Sequence, residues 1–162
     1  MNALTYFVFF SSCVGLDRIT KTLALEHLIN NGLVFTQFLN FDLSWNRGIS
    51  WGMLQFNSPT RFALLSVFIL LIVVLLVIYT FVQYRNNENI LGEILVISGA
   101  ISNIIDRFLY GAVIDFIDLH IHGYHWPSFN LADFFIVFGV CLIFIKNFLR
   151  TKAHEDTQGT SF

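Results

Sequence analysis

Four long apolar segments, separated by polar links, dominate the chain. They cover about residues 3–25, 62–82, 90–106 and 131–149. The second segment contains no charged residue. The other three reach the length of a membrane span, about 20 residues, only by including charges near their ends. We therefore expect an all-α membrane protein with four transmembrane helices, in which residues 1–162 form a single integral membrane domain.

Two of the polar links are long, and they cover about residues 26–61 and 107–130. In the first of them, apolar and polar residues alternate from Leu39 to Trp45, which predicts a half-buried strand. The Asn-Arg-Gly sequence at residues 46–48 then predicts a turn. We expect these residues to form a small β-sheet and loop region between helices 1 and 2, lying on the membrane surface.

The orientation of the spans is only weakly indicated by the basic residues. Once the charges embedded in helix ends are set aside, four Lys and Arg residues lie on the side of the termini and two on the side of the long links. Because basic residues are enriched on the cytoplasmic side, this favours cytoplasmic termini and extracytoplasmic links. The first segment has no Lys or Arg before it, so we expect it to be retained rather than removed as a signal peptide.

The composition narrows the class of protein further. Hydrophobic residues make up 56% of the chain and charged residues only 12%, against about 25% charged residues in a soluble domain. The net charge of −2 offers no basic surface for nucleic acid. Cys13 and Cys141 both lie in apolar runs, and we interpret them as small buried hydrophobes rather than a disulfide.

Carboxylates are concentrated at one end of the predicted helices. Because consecutive spans are antiparallel, the sequence places five aspartates near the same membrane face: Asp17, Asp106, Asp115, Asp118 and Asp133. Two carboxylates that lie close together in a place of low dielectric constant resist ionising together, so one keeps its proton. The ionised partner can then take a proton from water while the protonated one donates to a carbonyl. This is the chemistry of an aspartic protease.

The residues alone leave open which two aspartates would form such a pair. Basic residues flank Asp17, and Arg107 follows Asp106 directly, which favours ion pairs with a structural role. Asp115 and Asp133 have no basic neighbour within several positions and lie among Phe, Ile and Leu, so they are the better catalytic candidates. The alternative for Asp133 is a helix cap.

Three histidines in the second long link raise the question of a metal. His120 and His122 would share one face of a strand, with His125 close by, and imidazole is a common zinc ligand. The chain has no His-Glu-x-x-His sequence, so a zinc protease is not indicated. Histidines in loops at a membrane surface more often face solvent, and we therefore predict neither a metal site nor any other cofactor.

Five short blocks resemble, in the same order, the sequence blocks of one family. They are DRITK (17–21), NRGISWGML (46–54), GAISNIIDR (99–107), VIDFI (113–117) and FNLAD (129–133). The family is lipoprotein signal peptidase, or signal peptidase II, a group of bacterial membrane aspartic proteases. The chain departs from the family pattern at Ser98 and Ser102, where glycine is usual, but serine is small enough to preserve close helix packing.

The resemblance implies roles for ten residues. It implies that Asp115 and Asp133 are the catalytic pair. Five further residues match positions that bind substrate or support the pair: Asn46, Gly48, Asn103, Arg107 and Asn130. Three match positions with a structural role: Asp17, Lys21 and Asp106.

The resemblance also implies an activity and a location. The enzyme would remove the signal peptide from prolipoproteins that carry a diacylglyceryl group, cleaving before the lipidated cysteine. It would be a monomeric, multi-pass protein of the bacterial inner membrane, in contact with membrane lipid, with its active site near the extracytoplasmic face. We expect the segment from about 39 to 55, including Trp51, to move when substrate binds. The rival interpretation is a small transporter or channel subunit that uses intramembrane carboxylates as an ion path.

Overall fold

The computed structural model describes residues 2–48 and 58–159. The described residues form four helices, which are α1 (Ala3–His27), α2 (Pro59–Arg85), α3 (Leu91–Tyr110) and α4 (Leu131–Gly159). Each matches one of the four apolar segments, so the helical character of those segments is confirmed. The same residues form four strands, which are β1 (Leu33–Val34), β2 (Leu39–Asn46), β3 (Val113–Ile121) and β4 (Tyr124–His125).

Two of the helices among the described residues are long and apolar enough to cross a membrane. These are α2 (Pro59–Arg85), in which an 18-residue stretch has a mean hydropathy of 3.2, and α4, in which such a stretch within Leu131–Lys152 has a mean hydropathy of 2.0. The other two helices carry the charged residues anticipated at the segment ends. The charged side chains that are buried in them belong to Asp17, Lys21, Glu93, Asp106 and Arg107. Because these charged side chains face the protein interior, they lower the hydropathy of α1 and α3 without lining their outer surface.

Helix α3 is the centre of the bundle and packs against each of the other three helices. It approaches α4 closely at Gly99. A Cβ atom at this position would lie 2.8 Å from Ile136 Cγ1 and still closer to the carbonyl oxygen of Ala132. Small residues permit such an approach between helices. The first turn of α4 therefore lies directly against the backbone of α3.

The sheet is antiparallel, with its strands in the order β1-β2-β3-β4. The predicted strand at Leu39–Trp45 is confirmed as part of β2. The expectation that the whole sheet lies between helices 1 and 2 is wrong for half of the strands, because β3 and β4 belong to the link between α3 and α4. The residues from Val113 to Phe116 are all buried, and a strand buried on both faces shows no alternation in the sequence.

Pairing between β2 and β3 brings the two long links together. Asn46 is the register partner of Val113, and Ser44 that of Asp115, with an irregularity in the ladder between Phe41 and Ser44. After β2 the chain bends, and the Gly48 amide donates to the Asn46 side-chain oxygen at 2.8 Å, as expected of the turn at 46–48. The remainder of the segment expected to move, including Trp51, lies outside the described residues.

Candidate catalytic site

Asp115 and Asp133 are joined through one residue, Asn130. Asp115 is on β3, Asp133 is in the first turn of α4, and Asn130 immediately precedes α4. The Asn130 side-chain amide donates to Asp115 Oδ1 at 2.7 Å. The Asn130 backbone amide donates to Asp133 Oδ2 at 3.3 Å, and the Asp133 amide donates back to Asn130 Oδ1 at 2.9 Å. This reciprocal pair of bonds is a capping box, so Asp133 caps the helix and faces the same asparagine as Asp115.

Asp115 is almost fully buried, with 1% of its surface exposed. Its other oxygen accepts a hydrogen bond from the Asn46 side-chain amide at 2.9 Å. Burial, followed by the negative charge of Asp133, raises the pKa of Asp115 to about 7, although the bonds from Asn46 and Asn130 and the charge of Lys21 act in the opposite direction. Near neutral pH this carboxyl group therefore exchanges a proton readily.

Asp133 receives a second donor from α3. The Asn103 side-chain amide nitrogen donates to Asp133 Oδ1 at 2.9 Å. The oxygen of the same Asn103 amide accepts from Lys21 Nζ at 2.7 Å and from the Asn130 side-chain amide at 3.1 Å. An ammonium group can only donate, so Lys21 fixes which end of the Asn103 amide faces it. The NH2 end is thereby held toward Asp133, which is only half-buried and so more accessible than Asp115.

Lys21 also lies at the centre of a buried ion network. Its ammonium group is 2.8 Å from Asp17 Oδ2 and 2.7 Å from Asp106 Oδ2, and all three side chains are fully buried. Arg18 forms a further ion pair with Asp106. The expected pairing of Asp106 with its sequence neighbour Arg107 is therefore wrong, because adjacent residues of a helix point in different directions. The counter-ions of Asp106 come from α1.

Asp17 connects this network to the beginning of α4. Its Oδ1 accepts from the Ala132 backbone amide at 2.8 Å, and its Oδ2 accepts from the Ser102 hydroxyl at 2.6 Å. In the sequence, Ser102 stands out only as a replacement for glycine. Its position between Gly99 and Asp106, on one face of α3 by helical spacing, was the signal for this contact. The network thus fixes the turn that carries Asp133.

Arg107 contacts the chain just after β2 and helix α2. Its Nη2 donates to the Gly48 carbonyl at 2.6 Å, and its guanidinium carbon is 5.3 Å from the centre of the Phe62 ring. The buried Nη1 atom has no hydrogen-bond partner among the described residues. Arg107 therefore joins the end of β2, helix α2 and helix α3 around the site.

All ten residues singled out in the sequence lie around this site or in the ion network beside it. Asp118, the remaining aspartate of the cluster, does not join it. Three positions separate it from Asp115 on β3, so the two side chains point to opposite faces of the strand. Asp118 bonds instead to His125, whose Nδ1 lies 2.9 Å from its Oδ2. The expected pair of His120 and His122 on one strand face is also wrong, because β3 ends at Ile121 and His122 occupies the turn with φ 50°.

Similarity to known proteins covers most of the chain. A family model described as signal peptidase (SPase) II matches residues 9–149. A lipoprotein signal peptidase of Thermodesulfovibrio yellowstonii is 41% identical over 133 residues, which are 82% of this chain and 86% of that protein. A lipoprotein signal peptidase of Anaplasma marginale is 36% identical over 147 residues, covering 90% of this chain and 85% of that protein.

Solved structures are similar as well. A structure described as a bacterial membrane enzyme at 2.3 Å resolution superimposes with a TM-score of 0.73 and 31% identity, over 92% of this chain and 90% of that one. A second bacterial membrane enzyme, solved at 1.9 Å resolution, gives a TM-score of 0.69 and 30% identity, over 89% of this chain and 92% of that one.

Proposed function

We propose that this chain, which belongs to the signal peptidase II family, removes signal peptides from diacylglyceryl-modified prolipoproteins as an aspartic endopeptidase. Asp115 and Asp133 are the catalytic pair, and cleavage occurs before the lipidated cysteine. The observation that carries the proposal is the arrangement of both carboxylates around Asn130, together with the pKa of about 7 at Asp115.

The two carboxylates take different parts in the reaction. Asp133, half-buried and within reach of water, acts as the general base that takes a proton from the attacking water. Asp115, buried and protonated for much of the time at neutral pH, donates its proton to the oxygen of the scissile carbonyl. Collapse of the tetrahedral intermediate then returns a proton to the leaving amine. Because Asp133 activates the water and Asp115 polarises the carbonyl, the proposed reaction needs no metal or organic cofactor.

The neighbouring polar residues position the two carboxylates and the substrate peptide. Asn46 and Asn130 hold Asp115 in place, and Asn103 and Asn130 do the same for Asp133. Arg107, with a free Nη1 donor among the described contacts, is placed to bind a backbone carbonyl of the substrate beside Gly48. Fixing the reacting groups in this way removes an entropic cost that would otherwise be part of the barrier.

The same helices support the proposed membrane arrangement. α1 has 25 residues and α3 has 20, so at about 1.5 Å per residue both are long enough for a hydrocarbon core of about 30 Å. Their buried charges have partners within the protein, since Lys21 lies between Asp17 and Asp106 and Glu93 pairs with Lys146 of α4. This removes the main objection to their spanning lipid. We propose four spans in the bacterial inner membrane, cytoplasmic termini, a site near the extracytoplasmic face, and a monomer in contact with membrane lipid and the lipid of the substrate.

The test is cleavage of a diacylated prolipoprotein by purified protein, with the same precursor lacking the lipid as a comparison. Asp115→Asn and Asp133→Asn should each reduce the rate by more than the factor of about 10²–10⁴ that is typical of losing a general base alone. The double variant should be little worse than either single variant, because the pair acts as a unit.

Asp42→Asn is the matched control, because Asp42 is an exposed carboxylate on the same sheet. It should cleave like the unmodified protein. Loss of activity in this control, or retained activity in Asp115→Asn, would contradict the catalytic assignment. Equal cleavage of lipidated and unlipidated precursor would contradict the substrate assignment instead.

A further inference from the structure

The turn between β3 and β4 places three potential metal ligands side by side. His122 and Gly123 both have positive φ angles, of 50° and 81°, as in the two-residue turns that join tight hairpins. This turn makes His120 and His125 direct register partners across the two strands. Asp118 precedes His120 by two positions, so it shares the same strand face.

The three side chains face one another. His125 Nδ1 is 3.0 Å from Asp118 Oδ1 and 2.9 Å from Oδ2, and His120 Nδ1 is 4.0 Å from Asp118 Oδ2. The two imidazole rings have their centres 4.9 Å apart and are nearly parallel, at 17°. One donor atom from each residue lies within 4.8 Å of the others. The hairpin thus assembles two imidazoles and a carboxylate in one place.

One of these donors lacks a partner. His120 Nδ1 is buried and forms no hydrogen bond with any described residue, although its side chain is 17% exposed overall. A buried polar atom without a partner is costly. Asp118 is also buried, with 9% of its surface exposed. A cation between them would satisfy the free nitrogen and neutralise the buried carboxylate together.

We propose that Asp118, His120 and His125 bind a divalent transition metal ion of the class that imidazole prefers, for which Zn²⁺ is the probe. Two histidines and one carboxylate are an established zinc ligand set, which leaves a fourth position for water. Ligand bonds of about 2.0–2.2 Å require donor atoms roughly 3.3–3.5 Å apart. The present spacings of 2.9 and 4.0 Å around Asp118 Oδ2 are each within about 1 Å of that requirement.

A metal ion can reach this site from solvent, and the proton that it displaces can leave. The His125 side chain is 56% exposed, and both histidines line an apolar groove of about 400 Å³ together with Phe38 and Trp126. On binding, the metal takes the place of the proton between His125 and Asp118, and that proton passes to solvent. The bound ion would fix the two-residue strand β4 to β3. The site is separate from the proposed catalytic pair, since Asp118 and Asp115 point to opposite faces of β3.

The experiment uses tag-free full-length protein in detergent, freed of metal with a chelator. Zn²⁺ affinity is measured by competition with a chromophoric chelator, and Co²⁺ is added as a spectroscopic probe of coordination. We expect one Zn²⁺ per chain and the intense visible bands of four-coordinate cobalt. Asp118→Asn, His120→Ala and His125→Ala should each weaken binding by at least about 100-fold, more than the loss of an outer-shell partner.

His122→Asn is the matched control, because it removes a histidine of the same hairpin and asparagine tolerates a positive φ. It should bind zinc as the unmodified protein does. His125→Ala keeps the test valid if His120→Ala disturbs folding, since His125 is mostly exposed. Equal affinity in His125→Ala and the unmodified protein, or a cobalt spectrum of the hydrated ion, would overturn the proposal and leave Asp118 and His125 as a hydrogen-bonded pair only.

Discussion

At one end of α3, Asp106 lies in a network with Lys21, Asp17 and Arg18, while at the other end Glu93 is paired with Lys146 alone at 2.6 Å. Thirteen residues separate Asp106 from Glu93, or about 20 Å along the helix. Both carboxylates are fully buried. Each end of α3 therefore contains a buried negative charge that must be compensated, and the two ends compensate it differently.

The two forms differ in how completely the polar atoms are bonded. Both oxygens of Asp106 have partners, since Oδ1 pairs with Arg18 and Oδ2 accepts from Lys21 and from the Ile114 amide at 3.3 Å. Glu93 Oε2 has no hydrogen-bond partner among the described residues. A network that satisfies every member fixes geometry, whereas a single pair only links two helices. We infer that the first end serves positioning and the second end serves stability.

Replacing Lys21 by methionine should have the largest effect. Asp17 and Asp106 would then lose the ammonium group that lies between them, and breaking a buried pair costs about 3–5 kcal/mol. The Asn103 amide would also lose the donor that fixes its orientation toward Asp133. Cleavage per folded molecule should fall by at least about 10²-fold, as expected of a small misplacement of reacting groups. Detergent melting temperature and single-turnover rate measure the two effects, and a variant that is destabilised but cleaves normally would separate the network from positioning.

Asn103→Leu should affect the rate more than the stability. Leucine has a similar volume but donates nothing to Asp133, while Lys21 keeps both of its carboxylate partners. We expect a rate loss of about 10²-fold and a stability loss of about 1–3 kcal/mol. Asn147→Leu, at an exposed position of α4, is the control and should change neither. A normal rate in Asn103→Leu would show that the donor to Asp133 is dispensable.

Lys146→Met makes the same substitution at the other end of α3. Lys146 is 25% exposed, so water screens the pair and the expected stability loss is smaller than for Lys21, about 1–3 kcal/mol. The cleavage rate per folded molecule should stay unchanged. Adding Glu93→Gln should restore most of the stability, because both charges are then gone. A loss of rate in Lys146→Met would contradict the contrast between the two ends.

The smallest expected effect is a change in how stability and cleavage rate depend on pH. Since folding raises the pKa of Asp115 from 3.8 to about 7, the folded state holds a proton that the unfolded state releases. This group therefore lowers stability as the pH rises from about 4 to about 7, at about 1.4 kcal/mol per pKa unit. Activity should likewise decline above about pH 7, as the shared proton is lost.

Asn46→Ala removes a hydrogen bond that lowers this pKa. The alkaline limb of the rate profile should move to higher pH by about 1–2 units, since a bond to a charged group contributes about 1.5–3 kcal/mol. Asp115→Asn should abolish the corresponding slope in stability between pH 4 and 7. The measurements are rate profiles of Asn46→Ala and the unmodified protein across the alkaline limb, and the stability of Asp115→Asn between about pH 4 and 7. A limb that moves to lower pH in Asn46→Ala would refute the assignment to Asp115.

The two aspartates of the proposed pair were easier to single out in the sequence than the partners of the neighbouring charges. Asp115 and Asp133 stand out because each carboxylate interrupts an apolar run without a basic neighbour, and the structure places both against Asn130. The partner of Asp106 was not predictable in the same way. Arg107 is next in the chain, but successive side chains on a helix diverge by roughly 100°, and the true partners are on another helix.

The secondary-structure elements show the same contrast. Those specified by nearby residues were predictable, and pairings between distant residues were not. The helices were predictable because their apolar runs are long, and β2 because its residues alternate. The membership of β3 in the same sheet was not, since Val113–Phe116 is buried throughout and its pairing with β2 spans about seventy residues of chain. The ligand set around Asp118 depends in turn on the hairpin register, which positive φ angles at His122 and Gly123 determine.

The close contact between α3 and α4 at Gly99 controls the position of Asp133, on which the proposed reaction depends. The first turn of α4 is held between Asp17, which binds the Ala132 amide, and the bare backbone of α3 at Gly99. A single added methyl group there would act as a wedge, forcing this turn outward against the pull of Asp17. Asp133 would move with the turn, while Asp115, anchored on β3, would stay. The absence of a side chain at Gly99 thus determines the distance between the carboxylates of Asp115 and Asp133.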